Sequence, residues 1–378
     1  MVDLGKFLSR LRATNVQFIS GVPDTLLNDL CLALEKEWPA DRHVIAANEG
    51  CAIALASGWH LATGSVPLVY MQNSGLGNCV NPLLSLTDRD MYSIPMILLI
   101  GWRGEPGKKD HVQHNKQGKL TPVLLESMDI PHRVVDSDEG ALEAVDWATA
   151  KAIEIKGPVA LIARKGVFER GEKDLTDRGS PYPLSREDVI RILLQALPSD
   201  TVFVATTGRA TRELHEVRNL LGLKHDNDFL NVGAMGHASS IAAGIALARK
   251  DRTVVCLDGD AAAFMHLGTW GTIAGLKPKN FLHIVINNGA HESVGGQASA
   301  GFKVNFHGLA KEAGYRVSEG AVQTEAAIKE TLGVLMRQEG PSFLEVRIRK
   351  GMRSDMPPLK FDHAASKKAL MESLSKGR

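Results

Sequence analysis

The chain has 378 residues, of which 44% are hydrophobic and 23% charged, and its formal net charge is +1. That length exceeds one ordinary domain and suits two α/β domains, each able to bury its own core. A near-neutral balance excludes global steering toward nucleic acid or anionic lipid, so any attraction for an anion must be local.

The N-terminus, Met1-Val2-Asp3-Leu4-Gly5-Lys6, lacks the basic-then-apolar pattern of an export signal. No apolar run nears the roughly 20 residues of a membrane helix, and the cytoplasm is the expected location. Val66 to Met71, Ile94 to Ile100 and Val159 to Ala163 are apolar runs of strand length, and Cys51 to Ala62 reads as a helix of small residues. Strands of this kind alternating with helices predict a mostly parallel sheet covered on both faces. Arg164 to Glu187 is charged and rich in Gly and Pro, and marks a join. A second block repeats the scheme: Val202 to Ala205, Thr253 to Leu257, Phe281 to Ile286 and Phe343 to Ile348 read as strands, and Ser239 to Ala248 as a helix. The expected division is a first domain over 1–165, a linker over 166–186, a second domain over 187–350 and a tail over 351–378 with a short Lys-rich helix. Cys31, Cys51, Cys79 and Cys256 form no C-x-x-C pair and read as small buried hydrophobes.

The strongest chemical signal is Leu257-Asp258-Gly259-Asp260-Ala261-Ala262, followed after a helical stretch by Ile284-Val285-Ile286-Asn287-Asn288-Gly289. Asp260 would end a buried strand and open a helix, whose free N–H groups and dipole suit a diphosphate. A carboxylate there repels that diphosphate unless a divalent cation sits between them, and Mg²⁺ commonly bridges the two. Asn288, just past the next strand, could complete the oxygen shell. Ala46-Ala47-Asn48-Glu49-Gly50-Cys51-Ala52 places an acid at a strand-to-helix junction, where it also complements the helix dipole. In Asn231-Val232-Gly233-Ala234-Met235-Gly236-His237-Ala238, the glycines let backbone approach a flat ring closely.

Gly259-Asp260-Ala261, 25 residues, then Asn287-Asn288 resembles the Gly-Asp-Gly…Asn-Asn signature of thiamine-diphosphate (ThDP) enzymes, with Ala261 departing from the third Gly. The three motifs, in order, resemble the ThDP decarboxylase family across nearly the whole chain. That resemblance implies an α/β fold of two ThDP-binding-type domains, pyrimidine-binding then diphosphate-binding, with no middle domain. It implies ThDP and Mg²⁺ as cofactors, with Asp260, Asn288 and the Ala290 carbonyl as metal ligands. Gly259, Asp260, Ala261, Ala262 and Asn288 would hold the diphosphate end. Glu49 would bond N1′ of the aminopyrimidine and promote its imino tautomer; the Gly233 carbonyl would accept from N4′, and Met235 would wedge between the rings. The site would lie at a subunit interface, so the partner is a second copy of the chain in a homodimer or higher homo-oligomer.

The short two-domain plan resembles the phosphonopyruvate and sulfopyruvate decarboxylases. Gly21-Val22-Pro23-Asp24-Thr25, Gly101-Trp102-Arg103-Gly104-Glu105-Pro106-Gly107, Gln113-His114-Asn115-Lys116-Gln117-Gly118 and Asn288-Gly289-Ala290-His291-Glu292-Ser293-Val294-Gly295-Gly296-Gln297 point to the former. The reaction implied is non-oxidative decarboxylation of 3-phosphonopyruvate to phosphonoacetaldehyde and CO₂ through a covalent ThDP adduct, as in phosphonate biosynthesis. Sulfopyruvate giving sulfoacetaldehyde is the alternative. Arg103, Lys108, Lys109, His111, His114 and Lys116 form a cationic run, expected as a loop beyond a strand, where parallel sheets bind ligands. An Arg fork suits a phosphonate. Asp24, Thr25, Arg103, His114 and Gln117 are the candidate substrate residues, with His114 a candidate catalytic proton donor. Asn73-Ser74-Gly75-Leu76-Gly77-Asn78-Cys79-Val80 offers an imperfect dinucleotide fingerprint, because Val80 stands at the third glycine of a nicotinamide-dependent dehydrogenase. A non-catalytic diphosphate-binding subunit is the remaining reading; it would have no use for Glu49.

Overall fold

Aliphatic runs buried on both faces build the centre of each of two sheets. The computed structural model describes residues 2–168 and 180–376. The chain divides into a unit of Met1–Asp174 with Val294–Gln297 and a unit of Leu175–Ser293 with Ala298–Arg378. Most of the expected linker, 169–179, lies outside the described residues.

The first unit holds β1 (Ile19–Gly21), β2 (His43–Ile45), β3 (Leu68–Gln72), β4 (Met96–Gly101), β5 (His132–Val135) and β6 (Pro158–Ala163), in the order β2-β1-β3-β4-β6-β5. Every neighbouring pair is parallel. Alternate residues face opposite layers, as a period of two requires. Leu68, Tyr70, Ile97, Leu99 and Leu161 pack with helices Leu4–Ala13, Asn28–Glu37 and Asp138–Ile155. Val69, Met71, Leu98, Ile100 and Ile162 pack with helices Glu49–Thr63 and Leu76–Pro82 and the end of Val112–Ser127.

The second unit holds β7 (Val202–Ala205), β8 (Asp228–Leu230), β9 (Val254–Gly259), β10 (Phe281–Asn287), β11 (Arg316–Val317) and β12 (Ser342–Arg347), the strands of its main sheet in chain order. They lie as β11-β12-β10-β9-β7-β8, again all parallel. Counted from its own first strand, each sheet therefore runs 2-1-3-4-6-5. Leu257, Ile284 and Val346 face one apolar layer, and Cys256, Val285 and Phe343 face the other. Helix His363–Ser375 closes the tail, burying Leu370. Among the described residues no helix is long and apolar enough to cross a membrane.

Two local expectations change. The cationic run is a loop only as far as His111; helix Val112–Ser127 then begins, so His114, Lys116 and Gln117 are helical. Gly118 and Pro122 hide that helix in the sequence, because both are poor helix formers. A side chain at Gly118 would meet the Gly104 carbonyl, so the glycine lets helix and loop touch. Cys51 is exposed rather than buried, because it lies on the outward face of helix Glu49–Thr63.

Candidate active site

Glu49 follows β2 as the first residue of its helix, behind Asn48, whose side chain caps the Cys51 N–H at 2.9 Å. The Glu49 side chain is buried, and the Asn78 amide donates to its Oε2 at 2.7 Å. A side chain at Gly75 would collide with the Glu49 carboxylate, and one at Gly50 with the Asn78 carbonyl. Gly75 thus makes room for the acid, and Gly50 for the backbone of the segment that carries its partner. Asn78 escaped the sequence reading, which weighed that segment only as a dinucleotide motif.

In the same unit, Asp24 follows β1 and is fully buried, with Oδ2 accepting from the Leu26 N–H at 3.1 Å. Burial pushes its carboxyl up to about 6, against the pull of Arg103. Among the described residues its Oδ1 finds no hydrogen-bond partner. Arg103 is already occupied: Nε and Nη2 donate to the two oxygens of Asp110 at 2.8 and 2.6 Å. Burial opposes ionisation of Asp110, but Arg103 and the N–H groups of Gly104 and His111 hold its carboxyl well below the usual range. Glu105 pairs with Arg164 at 3.0 Å. Asp110 therefore already engages the guanidinium that the sequence assigned to a phosphonate, whereas Glu105 engages an arginine outside the run. Burial, then Arg103, pushes His114 down to about 4, so it is a neutral imidazole at pH 7. Thr25 and Gln117 are half-buried, whereas Lys108, Lys109, His111 and Lys116 are exposed.

In the second unit, β8 leads into a turn organised by buried Asn231. Its Oδ1 accepts from Gly233 and Ala234 N–H groups at 3.3 and 3.1 Å, and its Nδ2 donates to the Ala234 carbonyl at 2.7 Å. Gly233 is exposed and Met235 half-buried. The Met235 N–H donates to the Gly233 carbonyl at 3.1 Å. Gly236 has φ +82°, and its bare Cα admits Met265 and His266.

Asp260 follows β9 and opens helix Asp260–Met265, with Ala261 and Ala262 in its first turn; a side chain at Gly259 would meet only open space. Asp260 is 2% exposed, and its carboxylate accepts from the Ser299 hydroxyl and the backbone N–H of Asn288. Gly301 leaves room for it, since a side chain there would strike the carboxylate. With neutral donors nearest, burial pushes Asp260 up to about 6. A buried carboxylate surrounded by neutral donors fits a site completed by a cation, as a metal-bridged diphosphate requires.

Asn287 and Asn288 end β10. Asn287 Nδ2 donates to the Gly301 carbonyl and to Glu345, both at 2.8 Å. Asn288 Oδ1 accepts from the Ala290 N–H at 3.1 Å, and its Nδ2 donates to Glu292 Oε2 at 2.7 Å. Glu292 also pairs with Arg186 at 2.6 Å and Arg209 at 2.8 Å. Burial would raise its carboxyl, but the two guanidiniums hold it below the usual value. Ser299, Gly301, Arg186 and Arg209 went unread because each lies in a different segment from the motif it supports.

The chain matches two family descriptions: "Thiamine pyrophosphate enzyme, N-terminal TPP binding domain" over residues 6–122 and "Thiamine pyrophosphate enzyme, C-terminal TPP binding domain" over 207–346. It is 30% identical to a phosphonopyruvate decarboxylase of Streptomyces viridochromogenes over 366 residues, covering 93% of this chain and 89% of that one. A phosphonopyruvate decarboxylase of Streptomyces hygroscopicus is 31% identical, covering 93% and 88%. A sulfopyruvate decarboxylase of Methanosarcina acetivorans is 25% identical, covering 98% and 97%. The chain belongs to the thiamine pyrophosphate enzyme family, among its ThDP-dependent decarboxylases.

Proposed function

We propose that this enzyme decarboxylates 3-phosphonopyruvate to phosphonoacetaldehyde and CO₂. The observation that carries the reading is a buried acid beyond the carboxyl end of each sheet, Glu49 in the first unit and Asp260 in the second. Residues 1–165 take the pyrimidine-binding role and 187–350 the diphosphate-binding role. Asp260, Asn288 and the Ala290 carbonyl hold Mg²⁺, and Gly259, Ala261 and Ala262 line the diphosphate. When bound, ThDP supplies the electron sink for decarboxylation. Glu49 holds a proton at N1′, steadied by Asn78; the Gly233 carbonyl orients the amino group, and Met235 supports the ring. Asp24, Thr25, Arg103, His114 and Gln117 serve the substrate. His114, neutral at pH 7, orients the substrate through a hydrogen bond rather than adding charge, and to donate a proton it would first have to take one up.

The site is completed by a second copy of the chain. Helix Glu49–Thr63 supports this, because it turns Cys51, Ala54, Leu55, Gly58, Leu61 and Ala62 outward, an apolar face beginning beside Glu49. A cytoplasmic location belongs to the same reading. Phosphonopyruvate is preferred to sulfopyruvate because the relatives named for it are 30% and 31% identical, against 25%. The test is product analysis by phosphorus NMR after incubating the protein with ThDP, Mg²⁺ and phosphonopyruvate. Phosphonoacetaldehyde is expected; unchanged substrate alongside turnover of sulfopyruvate would overturn the assignment.

A further inference from the structure

We infer that Glu292 is a positioning residue that fixes the amide of Asn288 with its carbonyl oxygen available to the cation; this rests on the metal-bridged ThDP reading above. An asparagine side chain offers an acceptor at one end and donors at the other, and a half-turn about its last bond exchanges them. Only the acceptor end can bind a metal. An ionised carboxylate has acceptors alone, so Glu292 Oε2, 2.7 Å from Asn288 Nδ2, can face only the donor end. The Ala290 N–H, 3.1 Å from Oδ1, selects the same orientation from the other side. The backbone is tied as well, because the Asn288 N–H donates to Asp260.

Glu292 is in turn immobilised. Arg186 Nη2 donates to Oε2 at 2.6 Å and Arg209 Nη1 to Oε1 at 2.8 Å; the Gly351 N–H also donates to Oε1. Arg186 is braced against Glu213 at 2.8 Å, and Arg186, Glu213 and Glu292 are all buried. The two arginines and two glutamates balance in charge. The network's only contact with a proposed metal ligand among these bonds is the Glu292–Asn288 hydrogen bond. Outer partners of this kind characteristically orient the groups that touch a metal.

The experiment uses the full chain and measures Mn²⁺ affinity by electron paramagnetic resonance in the presence of ThDP, with the thermal midpoint of the metal-free protein alongside. Glu292→Gln is expected to weaken Mn²⁺ about 10- to 100-fold. Asn288→Asp alone should also weaken it, because two carboxylates then face each other. The double variant Asn288→Asp/Glu292→Gln restores a donor–acceptor pair with reversed polarity and should bind Mn²⁺ more tightly than either single variant. A merely structural Glu292 would lower the thermal midpoint without that rescue. Wild-type affinity in Glu292→Gln, or a loss that the double variant fails to recover, overturns the inference and leaves the ThDP reading standing. Failure of the unaltered protein to bind Mn²⁺ with ThDP sinks both.

Discussion

The two sheets share the strand order 2-1-3-4-6-5, yet equivalent loops carry different chemistry. After the second strand, the first unit presents Glu49, whereas the second presents the Asn231 turn with Gly233 and Met235. After the third strand, the first unit has Asn73, which ties down the Arg103 backbone, and Gly75, which makes space for Glu49, and the second has Asp260. After the fourth, the Arg103–Asp110 fork in one corresponds to Asn287 and Asn288 in the other. Parallel sheets place ligands beyond their carboxyl edges whatever the loops contain. The winding thus decides where chemistry can occur, and a few loop residues decide what kind. The acids stand on different loops, and the proposed function gives the one in the first unit a proton to move and the one in the second a cation to hold.

Substitutions can test that division of labour. The largest effect is expected from Glu49→Gln, which should lower kcat about 10²- to 10⁴-fold while ThDP binding, followed by circular dichroism, is retained. Loss of binding as well would erase the distinction between the units. Asp260→Asn should do the reverse, weakening Mg²⁺-dependent ThDP binding beyond the roughly 100-fold upper range of outer-partner substitutions, as read by a metal titration. His114→Gln should reduce kcat about 10²-fold and leave KM for phosphonopyruvate nearly unchanged, because a neutral imidazole adds no charge to the substrate's seat. A large KM effect would return His114 to the cation set. Asp110→Ala removes the partner of a largely buried Arg103 and should cost the first unit about 1–3 kcal/mol in denaturant unfolding. The smallest change should come from Ala261→Gly, costing about 0.5–1 kcal/mol of helix stability and little activity.

The long central strands and the helix after Asn48 were legible because their apolar runs are continuous and buried on both faces. β1, β2, β8 and β11 were not, since a strand of two or three residues carries too few side chains to establish a period. β5 was hidden by half-buried His132 and exposed Arg133 at the edge of its sheet. Within the candidate site, the residues on strand–helix junctions could be read, because a motif keeps them adjacent in sequence. Their partners could not. Ser299 reaches Asp260 across 39 positions and Arg186 reaches Glu292 across 106, contacts that only the folded chain creates. Charge was only partly legible for a related reason: the sequence displays the cations of the 103–116 run but not that Asp110 closes on Arg103.

The division between a proton-moving unit and a cation-holding unit is tested most directly by the exchange of the C2 hydrogen of bound ThDP with deuterium, measured by quenched-flow NMR. In Glu49→Gln saturated with ThDP and Mg²⁺, exchange should slow about 10²- to 10⁴-fold against the unaltered protein. Equal exchange rates in the two proteins would contradict it, and Glu49 would have to be given up as the acid that activates the cofactor.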